Sequence, residues 1–159
     1  MRLFLMRHTK AAAEEGQPDH DRPLTEQGVQ DARTMGRWLR DHGGAPDVVW
    51  CSSALRARQT WSAVATELPS SPETPEPSYL RSVYQAGSGD LLDLLRDVAP
   101  EVESVLILGH NPTMEQALAG LTGEHHDFPA GAIAALDVTG PWSAPTAFRL
   151  DELATPNGA

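Results

Sequence analysis

Cysteine is almost absent from this chain. Cys51 is the only one among 159 residues, so no intrachain disulfide and no thiolate zinc cluster can form. Lysine is as scarce: Lys10 is the single one, and eleven of the twelve basic residues are arginine. Against 22 acidic residues they leave a formal net charge of -10. That balance excludes a general nucleic-acid binder, which needs a basic footprint to neutralise phosphates. It leaves room for a small phosphate pocket, because local cations outweigh distant screened carboxylates. No apolar run approaches the roughly 20 residues that span a bilayer. Met1 to Met6 is too short for a secretory h-region, and polar residues follow at once. Cytoplasmic residence is the simplest expectation.

What is present is globular: 40% hydrophobic and 21% charged residues in a length that suits one domain. Residues 1–151 read as that domain, and 152–159 as a flexible tail. Four apolar runs have strand length, at 2–6, 47–51, 104–109 and 132–138, with a weaker fifth near 146–150. Between them lie helical periods. Val29, Ala32, Gly36 and Leu39 mark a helix over 25–42, capped by Thr25 and stopped at Gly43-Gly44. Ala57, Trp61, Val64 and Leu68 mark another over 54–68, and Leu91, Leu92, Leu95 and Val98 a third that Pro100 ends. Asn111 followed by Pro112 reads as a helix start running to about Leu121. Four prolines make 69–78 a surface loop. Strands alternating with helices predict an α/β fold: a three-layer α/β/α sandwich on a mostly parallel sheet.

Chemistry collects at the strand ends. The run Arg2 to Met6 delivers Arg7-His8-Thr9, and Ser104 to Gly109 delivers His110-Asn111. In open α/β sheets ligands bind at the carboxyl edge, where these histidines fall. After the strand 47–51, Ser52 to Thr60 is a turn entering a helix whose amides face the same crevice. Arg56 stands in its first turn, where a cation opposes the helix dipole unless an anion lies between them. Two imidazoles and two guanidinium groups thus suggest an oxyanion site with a nucleophile in it.

Arg7-His8-Thr9, Ser53-Ala54-Leu55-Arg56-Ala57 with Gln59-Thr60, and Gly109-His110-Asn111 resemble the histidine phosphatase superfamily, related to the phosphoglycerate mutases. Thr9 stands where the family usually has Gly. Short length, Asp21-Arg22-Pro23-Leu24-Thr25 and Gly109-His110-Asn111-Pro112 are most similar to its small bacterial phosphohistidine phosphatases, the SixA type. The resemblance implies a phosphoglycerate mutase-like fold and a metal-independent, cofactor-free phosphatase. His8 would attack phosphorus through an unprotonated ring nitrogen, with the other nitrogen donating to a backbone carbonyl. Arg7, Arg56 and His110 would hold the phosphoryl oxygens, His110 best when protonated. Thr9, Asn111, Arg22 and Asp21 are further substrate-binding candidates. The expected substrate is a phosphorylated protein, such as a histidine phosphotransfer domain, or a small phosphate ester.

One expected group is missing. Many family members carry a Glu in the stretch matching Leu80 to Ala86, and none occurs here. Asp19 and Asp21 are candidate acids, or else plain turn carboxylates. An alkoxide leaves poorly without an acid, whereas imidazole leaves readily, so the gap favours phosphohistidine as substrate. Three other readings compete. A thiol phosphatase needs five residues between Cys and Arg, and only four separate Cys51 from Arg56. Metal hydrolysis would draw on Asp19, His20 and Asp21 or on His125, His126 and Asp127, neither in a recognised ligand spacing. A phosphoprotein-binding module without efficient turnover is the third.

Overall fold

The computed structural model describes residues 1–13 and 15–159. Six strands form one sheet in the order β3-β2-β4-β1-β5-β6. These are β1 (Arg2–Arg7), β2 (Val48–Ser52), β3 (Ser78–Leu80), β4 (Ser104–Gly109), β5 (Ile133–Thr139) and β6 (Ala147–Ala154). β3, β2, β4 and β1 run parallel, while β5 pairs antiparallel with β1 and β6 antiparallel with β5 at one edge. The helices are α1 (Glu26–His42), α2 (Leu55–Ala65), the single turn α3 (Arg81–Tyr84), α4 (Ser88–Arg96) and α5 (Thr113–Thr122), with a 3-10 turn at Asp19–Asp21.

The period of two along each strand sorts the core into two layers. Phe4 and Met6 of β1, with Leu106 and Leu108 of β4, face Met35, Leu39, Trp61 and Val64 of α1 and α2. Leu3, Leu5, Val105 and Ile107 point the other way, onto Leu91 and Leu95 of α4 and Met114 and Leu118 of α5. β1 and β4 are buried through both faces, which explains their unbroken aliphatic character. The expected sandwich is therefore what forms.

Local signals hold where backbone hydrogen bonds make them decisive. Thr25 accepts from the Gly28 amide at 3.0 Å, and the Gly43 amide closes α1 on Leu39. A Cβ at Gly28 would sit 2.2 Å from the Lys10 carbonyl, and one at Gly36 only 2.6 Å from that of Val64. Glycine at these two positions lets α1 dock against both the loop after β1 and α2.

Four readings need correction. β3 and α3 occupy 78–84, where a loop and connection were expected. Both are short and mostly exposed, with only Val83 buried, so no hydrophobic run announced them. α2 ends at Ala65 rather than 68, although Leu68 still packs into the core. α5 begins at Thr113 with Pro112 as its cap, and the Asn111 side chain makes no capping bond. β6 continues to Ala154, three residues into the expected tail. Ile133 and Ala134 of β5 take Ala154 and Leu153 as partners, and Glu152 accepts from the Trp38 indole.

Candidate active site

Parallel pairing of β1 with β4 sets Arg7 beside Gly109, and the His8 amide donates to the Gly109 carbonyl at 3.1 Å. His8 and His110 therefore leave the sheet side by side, with ring centroids 5.0 Å apart. β2, on the other side of β4, supplies Ser52 at its carboxyl end and, through α2, Arg56. Nε of Arg56 donates to Nε2 of His8 at 3.3 Å. Three of the four expected residues are thus in direct contact. Arg7 stands at the same edge, with Nη1 on the Phe128 carbonyl at 3.1 Å. Its Nε, like Nδ1 of His110, is buried without a partner.

The tautomer of His8 follows from its neighbours. Nδ1 lies 2.7 Å from the Thr9 carbonyl, which can only accept, so Nδ1 carries the proton. Nε2 is left with its lone pair, as the donating Arg56 requires. Burial pushes the imidazole down to about 4, opposed by the Thr9 carbonyl and reinforced by Arg56, Arg7 and Arg22. Burial, then the His8 ring and Arg56, hold His110 at about 3. Both rings are thereby held neutral at pH 7. Burial also lowers the Arg7 guanidinium, with Glu115 opposing.

The secondary candidates divide. Thr9 is fully buried and its hydroxyl faces the hydroxyl of Thr60, so it is not presented to a ligand. Asn111 spends its amide hydrogens on the Phe128 carbonyl and on Glu115. Arg22 is held by the Ala12 carbonyl and by Asp19 at 3.1 Å. Asp21 is exposed and faces Nδ1 of His20 at 3.7 Å, away from the four central residues. Asp19 is the one that reaches them. Its carboxylate takes Nη2 of Arg56 at 3.0 Å and its carbonyl takes Nη1 at 2.7 Å. Hydrogen bonds from Tyr84 and Arg56 hold it at about 2, so it is ionised and unsuited to donate a proton.

Several residues join the site that the sequence had not placed there. Ser52 meets Nε2 of His110 at 2.6 Å, and Ser53 meets Nε2 of His20 at 2.9 Å. Tyr84 donates to Asp19 at 2.8 Å, and its ring stands edge-on to those of His20 and His110. Ser52 and Ser53 belonged to a visible motif. Tyr84 comes from the unannounced α3 and carried no signal.

Asp19 turns to Arg56 and Tyr84 and His20 to Ser53, with Asp21 facing the other side of the His20 ring, so among the described residues these three do not converge their ligand atoms on one point. Glu115, His125 and Asp127 bring potential ligand atoms within 4.8 Å of one another, with His126 turned instead to Glu124. Cys51 is buried, and burial raises its thiol far above the usual range.

Two histidines and two arginines thus gather at the carboxyl edge of the sheet. A family model described as the histidine phosphatase superfamily (branch 1) matches residues 3–77. An uncharacterized protein of Mycobacterium tuberculosis is 35% identical over 149 residues, covering 87% of this chain and 90% of its own. The phosphohistidine phosphatase SixA of Escherichia coli is 35% identical over 125 residues, 76% of this chain and 74% of its own. A solved structure of the protein histidine phosphatase SixA complexed with tungstate superposes with a TM-score of 0.84 at 30% identity, covering 99% of this chain and 98% of that one. The chain belongs to the histidine phosphatase superfamily, with SixA phosphohistidine phosphatases among its structural neighbours. Among the described residues, no helix is long and apolar enough to cross a membrane.

Proposed function

We propose that this protein is a phosphatase that transfers a phosphoryl group to Nε2 of His8 and then to water, with protein phosphohistidine as its preferred substrate. One observation carries the reading. His8 is a buried, neutral imidazole whose Nδ1 proton is fixed by the Thr9 carbonyl and whose Nε2 lone pair faces Arg56. That is the state a nitrogen nucleophile needs, and no additional base has to remove a proton from it.

Arg7, Arg56 and His110 serve the three equatorial oxygens. The two guanidinium charges are in place before the reaction and stabilise the in-line transition state. A phosphoryl dianion raises the neighbouring imidazoles, which shifts His110 toward the protonated donor form. Asp19 holds Arg56 in the free site and makes way as phosphate takes the guanidinium face. Because these side chains neutralise the charge themselves, turnover proceeds without a metal, and chelator leaves the rate unchanged.

Substrate preference rests on the leaving group. No acid lies in 80–86, and Asp19 is ionised. An alkyl phosphate, which must expel an alkoxide, suffers most from that lack. Phosphohistidine protonated on its far ring nitrogen expels a neutral imidazole and needs no acid from the protein. The SixA of E. coli bears the name phosphohistidine phosphatase, and tungstate, an oxyanion of phosphate-like geometry, occupies the SixA structure described above. The test is a panel of phosphorylated histidine, serine and sugar substrates against wild type and His8→Ala. Phosphohistidine is expected to turn over fastest and to lose all turnover in the variant. Equal rates across the panel contradict the substrate assignment, and turnover surviving in His8→Ala contradicts the nucleophile.

A further inference from the structure

Ser52 is a fully buried hydroxyl at the carboxyl end of β2, and its hydrogen bonds decide which nitrogen of His110 carries the proton. Its Oγ accepts from the Ala54 amide at 3.2 Å and lies 2.6 Å from Nε2 of His110. A serine hydroxyl has one hydrogen to give, and among the described residues Nε2 is the one acceptor it meets. The Ser52 hydroxyl therefore donates to Nε2, and in the neutral ring the proton sits on Nδ1. The opposite tautomer would bury two unsatisfied groups, the serine hydrogen and a bare Nδ1, instead of one. Nδ1 is buried without a partner, as is Nε of Arg7, which can only donate. Two buried donors thus stand unspent, and each is costly until an acceptor arrives.

We propose that Ser52 is a positioning residue that fixes His110 as a neutral donor, so that His110 meets the phosphoryl group through Nδ1. This rests on the phosphatase reading, in which His110 serves a phosphoryl oxygen. With Nε2 spent on Ser52, Nδ1 is the nitrogen left for that oxygen. The donor exists before substrate binds, and no proton has to be taken up to create it. That matters in a ring that burial and the His8 ring hold neutral. A proton drawn onto the ring by a bound dianion enters at Nε2, where Ser52 turns its hydroxyl to accept, and the Nδ1 hydrogen stays in place. The two histidines are then complementary. Both carry the proton on Nδ1, but His8 spends it on the Thr9 carbonyl and attacks with Nε2, whereas His110 spends Nε2 on Ser52 and offers Nδ1.

The test exploits carboxamide geometry. The amide nitrogen of asparagine can stand where Nδ1 of histidine does, and that of glutamine where Nε2 does. With phosphoramidate as substrate, His110→Gln is expected to lose on the order of 10²-fold in kcat, the cost of one oxyanion donor, and His110→Asn about tenfold less. Ser52→Ala should lower kcat roughly 10-fold in the wild-type background, as the Nε2-protonated ring competes. It should cost nothing further in His110→Asn, which has no tautomer to set. Ser52→Ala also deprives the Ala54 amide of its acceptor, but that structural loss would show equally in both backgrounds. Nitrogen NMR of the free protein reads the tautomer without turnover: Nδ1 of His110 protonated and Nε2 bare, with Nε2 gaining the proton in Ser52→Ala. A wild-type ring protonated on Nε2, a glutamine variant as active as the asparagine one, no loss in Ser52→Ala, or a loss that persists in His110→Asn overturns the proposal. Should Ser52→Ala fail to fold, the wild-type spectrum and the carboxamide pair decide on their own. Absence of wild-type turnover overturns the phosphatase reading and the role of His110 with it, while the spectrum still decides the tautomer.

Discussion

Acid should disarm this protein far later than histidine chemistry ordinarily allows, while destabilising its fold through the same group. His8 is held at about 4 because burial disfavours its charged form and three arginines repel the added proton. At pH 5 an imidazole titrating near its ordinary ~6.5 is neutral only about 3% of the time. One titrating at about 4 is still roughly 90% neutral, a ratio of about 30 in nucleophile concentration. The sign for stability follows from proton counting. Between pH 4 and 6.5 the unfolded chain binds a proton at this position and the folded chain does not, so stability rises with pH across that window. It falls as acid is added, and below about 4 no further stability is lost through His8. A shift from 6.5 to about 4 corresponds to about 3 kcal/mol as an upper bound for His8. His110 contributes with the same sign. NMR titration of the free protein, with His8→Asn to assign the resonance, reads the midpoint directly. Urea unfolding at pH 5 and pH 7 reads the linkage, which should shrink in His8→Asn. A His8 midpoint near 6.5, or a stability difference between the two pH values that is unchanged in His8→Asn, would refute the reasoning.

Three further outcomes follow from contacts already described. Asp19→Asn removes a negative charge from beside Arg56, so inorganic phosphate should bind roughly fivefold more tightly, about 1 kcal/mol, by calorimetric titration; weaker binding would show that the carboxylate organises the site rather than guarding it. Thr60→Val deprives the buried Thr9 amide of its acceptor and should cost about 1–3 kcal/mol in denaturant unfolding. Cys51→Ser should keep full phosphatase activity, because the thiol is buried and far from ionising; loss of turnover with an intact fold would revive a thiol mechanism.

Much of the site was legible because it rides on the most regular part of the fold. Leu3 to Met6 and Val105 to Leu108 are aliphatic runs buried on both faces, and a histidine closes each one at the carboxyl edge. The expected hydrogen bond from one ring nitrogen of His8 to a backbone carbonyl is made by Nδ1 on Thr9. Arg56 could be placed because a cation in a first helical turn demands an anion. What escaped has a common physical cause. β3, α3 and the 3-10 turn are short, largely exposed segments with no hydrophobic period to announce them. Tyr84 therefore enters the site unannounced, and Asp19 and His20, both named from the sequence, find their partners through tertiary contacts spanning 33 to 65 positions, such as His20 with Ser53 and Tyr84 with Asp19. Thr9 and Asn111 lie beside the two histidines, where Thr60 faces the Thr9 hydroxyl and the Phe128 carbonyl and Glu115 take the Asn111 amide hydrogens.

The most direct measurement is rapid quench of wild type with a phosphorus-labelled phosphoramidate, followed by peptide mapping. Covalent transfer predicts label on His8 that is stable in alkali and lost in acid, with none in His8→Ala. Steady hydrolysis by wild type with no label trapped on His8, or label on another residue, would contradict the account.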